Sequence, residues 1–240
     1  MDKPFDESWF YAPLSAVGDA APLSDEEAFH MRKVLRIRPG TSVTASNGKG
    51  GVFLCETRAA AKDGIALLAT EAVSLESEPP RLNLVLGLLK GKDSEEPVEG
   101  LCQLAVGAIH LVVSDYTQEF KGQNHDRLVE RLRGKSLVAL KQAKKAWLTE
   151  VHAPVPLREW RERHAEMPLV LLHPGEDRLP SAFPSAFGIL CGPEGGFSAA
   201  ELDWLEASGC HRMGLGPTRL RGTHAPLFAC GKLMGLGVIG

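Results

Sequence analysis

The pattern of apolar and polar positions changes character once along this chain. In the first third, short apolar or alternating runs are cut by turn residues at close spacing. Ser24 to Leu35 reads as helical, and Pro39-Gly40 is a turn signal. Thr41 to Ala45 then alternates, Asn47-Gly48-Lys49-Gly50-Gly51 reads as a hairpin turn, and Val52-Phe53-Leu54-Cys55 returns as a strand. Asp63-Gly64 opens another turn before Ile65-Ala66-Leu67-Leu68. Short strands joined by glycine turns predict a small β-barrel. The charged, proline-rich stretch Glu76-Ser77-Glu78-Pro79-Pro80 reads as a boundary, so residues 1–76 and 80–240 are expected to form separate domains.

Beyond that stretch, longer apolar runs alternate with helical patterns. Leu82 to Leu89 reads as a strand ending at Lys90-Gly91, and Glu95 to Ala105 as a helix with Pro97 in its first turn. Ile109 to Val113 is a second strand, and a long basic helix is expected between His125 and Trp147. Leu169 to Leu172 and Phe187 to Cys191 are further strands, the first ending at His173-Pro174-Gly175. Near-continuous apolar strands separated by helices predict an α/β fold with a parallel sheet covered on both faces. Ligands in such sheets sit beyond the carboxyl ends of the strands, which directs attention to the loops after Leu172 and Cys191. The last segment, Leu227 to Ile239, is apolar on nearly every side, so it is expected to be buried in its own domain or against a second subunit.

Two of those loops are rich in glycine. Gly192-Pro193-Glu194-Gly195-Gly196 follows a strand and precedes a marked helix start. Ser198 with Glu201 three residues later forms a capping box, and Leu202 and Leu205 supply the apolar face. The loop is neither a Walker loop nor Gly-x-Gly-x-x-Gly, and on its own it reads equally as a tight turn. Met213-Gly214-Leu215-Gly216-Pro217 leads into Thr218-Arg219-Leu220-Arg221-Gly222-Thr223-His224, with Pro226 starting the final segment.

Composition is that of an ordinary globular chain, with 240 residues, 44% hydrophobic and 24% charged. That excludes a disordered chain, a collagen or a coiled coil. There is no apolar run long enough for a membrane span and no signal-peptide start, so a cytoplasmic protein without a membrane partner is expected. Five scattered cysteines and eight dispersed histidines show neither zinc spacing nor a disulfide framework, so no metal is expected. The net charge of −3 argues against a general nucleic-acid binder, but it averages over strong local differences. Between His30 and Lys62 seven bases, Arg32, Lys33, Arg36 and Arg38 among them, face the single acid Glu56. Between Arg127 and Trp147 seven more, including Lys141, Lys144 and Lys145, face Glu130 alone. Two basic windows on a slightly acidic chain point to a localised polyanion footprint.

These residues resemble a known family. Leu190-Cys191-Gly192-Pro193-Glu194-Gly195-Gly196-Phe197-Ser198 with Glu201 is similar to the I-G-P-E-G-G-F-S-x-x-E signature of the 16S rRNA uridine-N3 methyltransferases (RsmE type), which belong to the SPOUT superfamily. Leu215-Gly216-Pro217-Thr218-Arg219-Leu220-Arg221 is similar to the next block of that family. Phe29-His30-x-x-x-Val34-Leu35-Arg36-x-x-x-Gly40 resembles its N-terminal H-x-x-x-V-L-R-x-x-x-G block, and Lys141-Gln142-Ala143-Lys144-Lys145-Ala146-Trp147-Leu148 its K-Q-S-x-K-x-x-L-P helix end. The resemblance implies a PUA-like RNA-binding β-barrel in residues 1–76 and a SPOUT domain with a deep trefoil knot in residues 80–240. It also implies S-adenosyl-L-methionine as cofactor, a homodimer, and ribosomal RNA or the 30S subunit as partner.

By the same resemblance, Leu172, His173, Gly192, Pro193, Glu194, Gly195, Gly196, Leu215, Gly216 and Leu220 would hold the cofactor. Arg32, Lys33, Arg36, Arg38, Lys141, Lys144 and Lys145 would contact RNA phosphates. A sulfonium methyl is already electrophilic, so alignment is the main demand, together with loss of the proton on uridine N3. Arg221 is the first candidate to stabilise charge on the uracil or steer a phosphate, Arg219 the second, and His224 a candidate base. Glu194 is expected to fix its own loop through backbone hydrogen bonds. The chain departs from the family at Thr223-His224, where the family has Glu-Thr, and across Gly100 to Val106, where it has K-A-T-E-L-G-V. A methyltransferase with another RNA target, or an RNA-binding paralogue without methyl transfer, is compatible with those departures.

Overall fold

The computed structural model describes residues 8–60, 64–90, 93–117, 125–174 and 183–239. Lys62, Asp63, Gly91 and Gly175, which figure in the sequence reading, lie outside the described residues. The chain divides into two compact units, Met1–Pro79 with Leu140–Leu148, and Pro80–Ala139 with Thr149–Gly240.

In the first unit, five strands form one sheet: β1 (Trp9–Tyr11), β2 (Ala20–Pro22), β3 (Ser42–Ser46), β4 (Gly51–Ala59) and β5 (Ile65–Leu75), in the order β1-β3-β4-β5-β2. Only β1 and β3 run parallel. The register of β4 on β5 shifts at Val52/Phe53 and Leu54/Cys55, irregularities of the kind that bend a sheet. Alternation sends Val43, Ala45, Phe53, Cys55, Ile65, Leu67 and Ala69 into a core shared with Phe10, Leu14, Ala28 and Met31. The strands at Trp9 and Ala20 are too short to leave a periodic signal. The helical stretch from Ser24 is α1 (Asp25–Phe29), capped by the Ser24 hydroxyl, running directly into a π-helical turn at His30–Val34.

The second unit is an all-parallel six-stranded sheet flanked by helices. Its strands are β6 (Leu82–Gly87), β7 (Val106–Val113), β8 (Glu150–Pro156), β9 (Leu169–Leu172), β10 (Phe187–Cys191) and β11 (His211–Met213), in the order β11-β9-β10-β6-β7-β8. Successive side chains point to opposite faces. Leu82, Leu84, Leu86, Ile109, Leu111, Val170 and Ile189 therefore meet α2 (Glu95–Cys102), α3 (Asp126–Gln142) and α6 (Ala225–Gly235). Val85, Val112, Leu169, Leu171 and Leu190 meet α4 (Leu157–Arg163) and α5 (Ala199–Ala207). The parallel sheet covered on both faces is thus the observed architecture, with β8 and α4 as elements that the sequence reading did not contain. Among the described residues no helix is long and apolar enough to cross a membrane.

One expectation needs correction. The basic helix does not continue to Trp147. It ends at Gln142, where Lys144 takes a left-handed φ of 53° and the Lys145 amide bonds the Leu140 carbonyl. Beyond that reversal the chain is claimed by the β3–β4 turn. The Ala146 carbonyl accepts from Ser46 Oγ at 3.1 Å and from the Gly50 amide at 3.0 Å, and the Leu148 amide donates to Gly48. Gly50, at φ 91°, leaves room there for the Trp147 ring, which a β-carbon would approach to 2.8 Å. Helical periodicity over Ala143–Trp147 lost to these tertiary hydrogen bonds.

Three histidines meet on the sheet face under α4. The His110 ring stacks on His152 with centroids 4.4 Å apart and lies 5.1 Å from His164, which itself stacks on Trp160. Burial, and then the neighbouring His152 and His164, push His110 down to about 3; burial is also the main cause that lowers His152, against the raising effect of Glu150. An unfolded chain protonates His110 near 6.5, whereas the folded one keeps that ring neutral down to about 3. Stability is therefore complete above that pH and falls as pH drops from 6.5 toward 3. His110 alone is expected to cost about 2 kcal/mol of stability between pH 8 and pH 5. Urea unfolding at the two pH values checks this; in His110→Asn most of that difference should vanish.

Candidate active site

The strand order brings three loops of the second unit side by side. β9 lies between β11 and β10, so the residues after Leu172, Cys191 and Met213 leave adjacent strand ends, and the loop after β6 adjoins them. The glycine loop is pressed against that last neighbour. A β-carbon on Gly87 would lie 2.5 Å from Cδ and N of Pro193, and one on Gly222 would lie 3.1 Å from Leu89 and 3.5 Å from the Gly192 carbonyl. Between Leu86, Gly87, Leu89, Cys191, Gly192 and Gly222 there remains a gap of about 10 Å³, space for a single water. At Gly87 only a residue without a side chain lets the end of β6 come this close to the Gly192–Pro193 backbone.

The loops are also tied by polar contacts. Glu194 accepts from the Lys90 amide at 3.0 Å through Oε1, so it holds a neighbouring loop, not its own as expected. Its carbonyl receives Arg219 Nη2 at 3.4 Å, linking the second and third loops. The Gly196 amide donates to the Pro193 carbonyl, and Gly196 takes φ 73°, closing the turn. Behind it, the capping box of α5 is present: Ser198 Oγ accepts from the Glu201 amide, and Glu201 Oε2 from the Ser198 amide. Glu201 is only 3% exposed, and its other oxygen accepts from the Asp115 amide at 2.9 Å, anchoring the turn after β7. Both charged oxygens are thereby satisfied by backbone donors. Ser198 Oγ also donates to Asp115 Oδ2. The exposed Tyr116 follows, its Cβ 3.1 Å from where a Gly195 side chain would begin.

The remaining sequence-derived residues fall around these loops. Leu172, Leu215 and Leu220 are half-buried; the first two pack on the sheet core. The His173 amide donates to the Met213 carbonyl at 2.9 Å, and Gly216 has φ 120°. Arg219, Arg221 and His224 are exposed, and the Arg221 carbonyl accepts from the His224 and Ala225 amides where α6 begins. His224 Nε2 stands 3.9 Å from Glu96 Oε1. Cys191, at the end of β10, has its thiol pushed up to about 12 by burial, which makes it a packing group. Sequence reading missed Gly87, Lys90, Asp115 and Tyr116. An isolated glycine inside an apolar strand was the available signal for the first; the others are joined to the site only by the fold.

The apolar end segment is divided. Ala229, Cys230 and Leu233 of α6 are buried, whereas Phe228, Met234 and Leu236 are exposed. Phe228 borders an open hollow of about 400 Å³ with Leu215, Leu227, Gly231 and Lys232. Both basic clusters belong to the first unit. Arg32, Lys33, Arg36 and Arg38 are exposed, Lys141 is paired with Glu27, and Lys144 and Lys145 are half-buried. Among the described residues there is no group of three or more side chains suited to a metal.

Residues 76–234 match the family model of an RNA methyltransferase domain, and residues 23–68 that of an RNA methyltransferase PUA domain. The chain is 27% identical over 235 residues to ribosomal RNA small subunit methyltransferase E of Synechocystis, covering 94% of this chain and 76% of that protein. It is 27% identical to the protein of the same name from Mycobacterium tuberculosis, covering 92% and 88%. Among solved structures, the Neisseria gonorrhoeae ribosomal RNA small subunit methyltransferase E bound to S-adenosyl methionine is similar, with a TM-score of 0.82, 22% identity, and coverage of 96% and 98%. A putative methyltransferase of Legionella pneumophila, also with bound cofactor, has a TM-score of 0.82 at 24% identity, with coverage of 96% and 98%. At those identities the structural likeness establishes the fold.

The close approach at Gly87 is directly testable. Gly87→Ala should destabilise the protein by about 1–3 kcal/mol and speed amide exchange in Gly192–Gly196. Gly134→Ala, on an α3 position where a β-carbon meets nothing within 4 Å, should be neutral or stabilising under the same urea titration.

Proposed function

The chain belongs to the RNA methyltransferase family, with a PUA domain ahead of the catalytic one, and from that premise we propose that it methylates N3 of a uridine in small-subunit ribosomal RNA with S-adenosyl-L-methionine as donor. The observation that carries the reading is the meeting of strand-end loops at Gly87, Gly192 and Gly222, with Gly87 pressed on the backbone of the Gly192–Pro193 turn. That cradle suits a cofactor held by main-chain amides and carbonyls, with Leu172, His173, Gly192 to Gly196, Leu215, Gly216 and Leu220 around it. When bound there, S-adenosylmethionine supplies an electrophilic methyl group.

The chain's own residues have three tasks. Glu194, through Lys90 and Arg219, holds the loops in register. Arg221, exposed where α6 begins, stabilises the negative charge that appears on the uracil oxygens as N3 loses its proton. His224, three residues beyond it and beside Glu96, is positioned to take that proton, with Arg219 as a second cation at the rim. Arg32, Lys33, Arg36, Arg38, Lys141, Lys144 and Lys145 supply the phosphate track of the PUA domain, which functions on the 30S subunit or its RNA in the cytoplasm. The reading includes a trefoil knot in the second unit; a strand order that carries the chain from β9 to β10 and back past β9 to β11 supports it. It also includes a homodimer through the exposed Phe228 and Met234 of α6 and Leu236 just beyond it.

Incubation of the protein and methyl-labelled S-adenosylmethionine with small-subunit RNA from a strain lacking its gene should label one uridine, located by mass spectrometry as the N3-methyl base. Label on transfer RNA alone, or none despite cofactor binding, would overturn the reading. Arg221→Ala is expected to lower turnover on the order of 100-fold with cofactor affinity retained, measured by single-turnover kinetics and calorimetry. Phe228→Asp should convert a dimer to a monomer in sedimentation equilibrium.

A further inference from the structure

The most conspicuous surface outside the loops lies on the first unit, where α1 passes into the π-helical turn. Two residues pin this segment: Ala28 and Met31 enter the core, and Met31 is the only buried residue of the turn. The Leu35 amide bonds the His30 carbonyl and the Ile37 amide the Met31 carbonyl, each at 3.0 Å. With that anchoring everything else faces outward. Phe29 is 57% exposed, Val34 60% and Leu35 39%. Exposing a phenylalanine forgoes about 1.5–3 kcal/mol of burial, and the three apolar side chains lie within one short stretch.

Cations follow that ring in the chain. Arg32 and Lys33 lie in the π-helical turn that begins directly after Phe29, and Arg36 and Arg38 come next, all four exposed. No acid lies between His30 and Arg38. Three acids precede Phe29 in α1: Glu27 is taken by Lys141, and Asp25 and Glu26 are exposed.

We infer that Phe29 is a stacking platform for an unpaired base of an RNA single strand, whose flanking phosphates are held by Arg32, Lys33, Arg36 and Arg38. This rests on the reading of the chain as an RNA methyltransferase and adds the form of RNA that its PUA domain takes. The chemistry favours a nucleotide over other occupants. A planar ring accepts the face of any base, and the four exposed cations that follow it in the chain match the phosphates of a strand running on from that base. An A-form duplex keeps its bases stacked and offers no face to such a ring. Stacking adds affinity that salt does not screen, whereas phosphate contacts are the salt-dependent part.

Those two contributions separate in one experiment. Binding of a labelled single-stranded RNA of about 12 nucleotides, and of the same strand annealed to its full complement, is followed by anisotropy across a potassium chloride series. Phe29→Ala should weaken single-strand binding roughly tenfold, leave duplex binding unchanged and keep the salt slope; Phe29→Trp should restore it. Arg32→Ala with Lys33→Ala should instead flatten the slope, by about 0.7 for each phosphate that is no longer neutralised. Unchanged single-strand affinity in Phe29→Ala, or equal weakening on duplex and single strand, would overturn the platform. So would Phe29-dependent binding to phosphatidylserine vesicles in preference to RNA. Methylation of ribosomal RNA by the unaltered protein is scored separately. If it occurs while Phe29→Ala binds normally, only the platform fails. If it is absent while Phe29→Ala weakens single-strand binding, only the enzymatic reading fails.

Discussion

The backbone of the Gly192–Pro193 turn lies so close to Gly87 that no β-carbon fits between them. The candidate site is arranged around this approach. Because β10 pairs directly with β6, their carboxyl ends emerge together, and the loops that follow must share one small space. Glycine at 87, 192 and 222 makes that sharing sterically possible. Hydrogen bonds from Lys90 and Arg219 to Glu194 then set the loops in register. The buried carboxylate of Glu201 extends the same order to the turn after β7 by accepting from two backbone amides.

Charge is distributed by a second piece of tertiary packing. Of the second basic window only Lys141, Lys144 and Lys145 join the Arg32–Arg38 bases in the first unit, because the chain after Gln142 leaves the helix and docks on the β3–β4 turn. The pairing of Lys141 with Glu27 ties the end of that helix to α1, the helix that leads into the exposed Arg32–Arg38 stretch. The second unit holds the loops, and the acids Glu95 and Glu99 there neutralise Arg131 and Lys135 of α3. Arg131 and Lys135, counted in sequence as part of a continuous basic helix, are therefore engaged in intramolecular pairs.

Much was legible from local pattern. Near-continuous apolar strands announce a parallel sheet because both faces must be covered, and the faces divide cleanly between the two observed cores. The Ser198/Glu201 capping box is a local device and folds as written. Local reading failed where a distant contact decided the outcome. The helix stops at Gln142 because carbonyl and amide groups of Ala146 and Leu148 find partners about a hundred residues away in the β3–β4 turn. Glu194 bonds Lys90, also about a hundred residues away, where spacing alone pointed to its own loop.

The sequence by itself determined most of the longer strands and helices, where the glycine loops stand and which residues carry charge, since each follows from periodicity, backbone freedom or composition within a short window. Only the tertiary structure decided the strand order that places β9 between β11 and β10, β8 and α4 with the histidine cluster beneath that helix, and the anchoring of Ala28 and Met31 that leaves Phe29 facing solvent. Those outcomes depend on which surfaces meet after the chain has closed, and no local interaction records that choice.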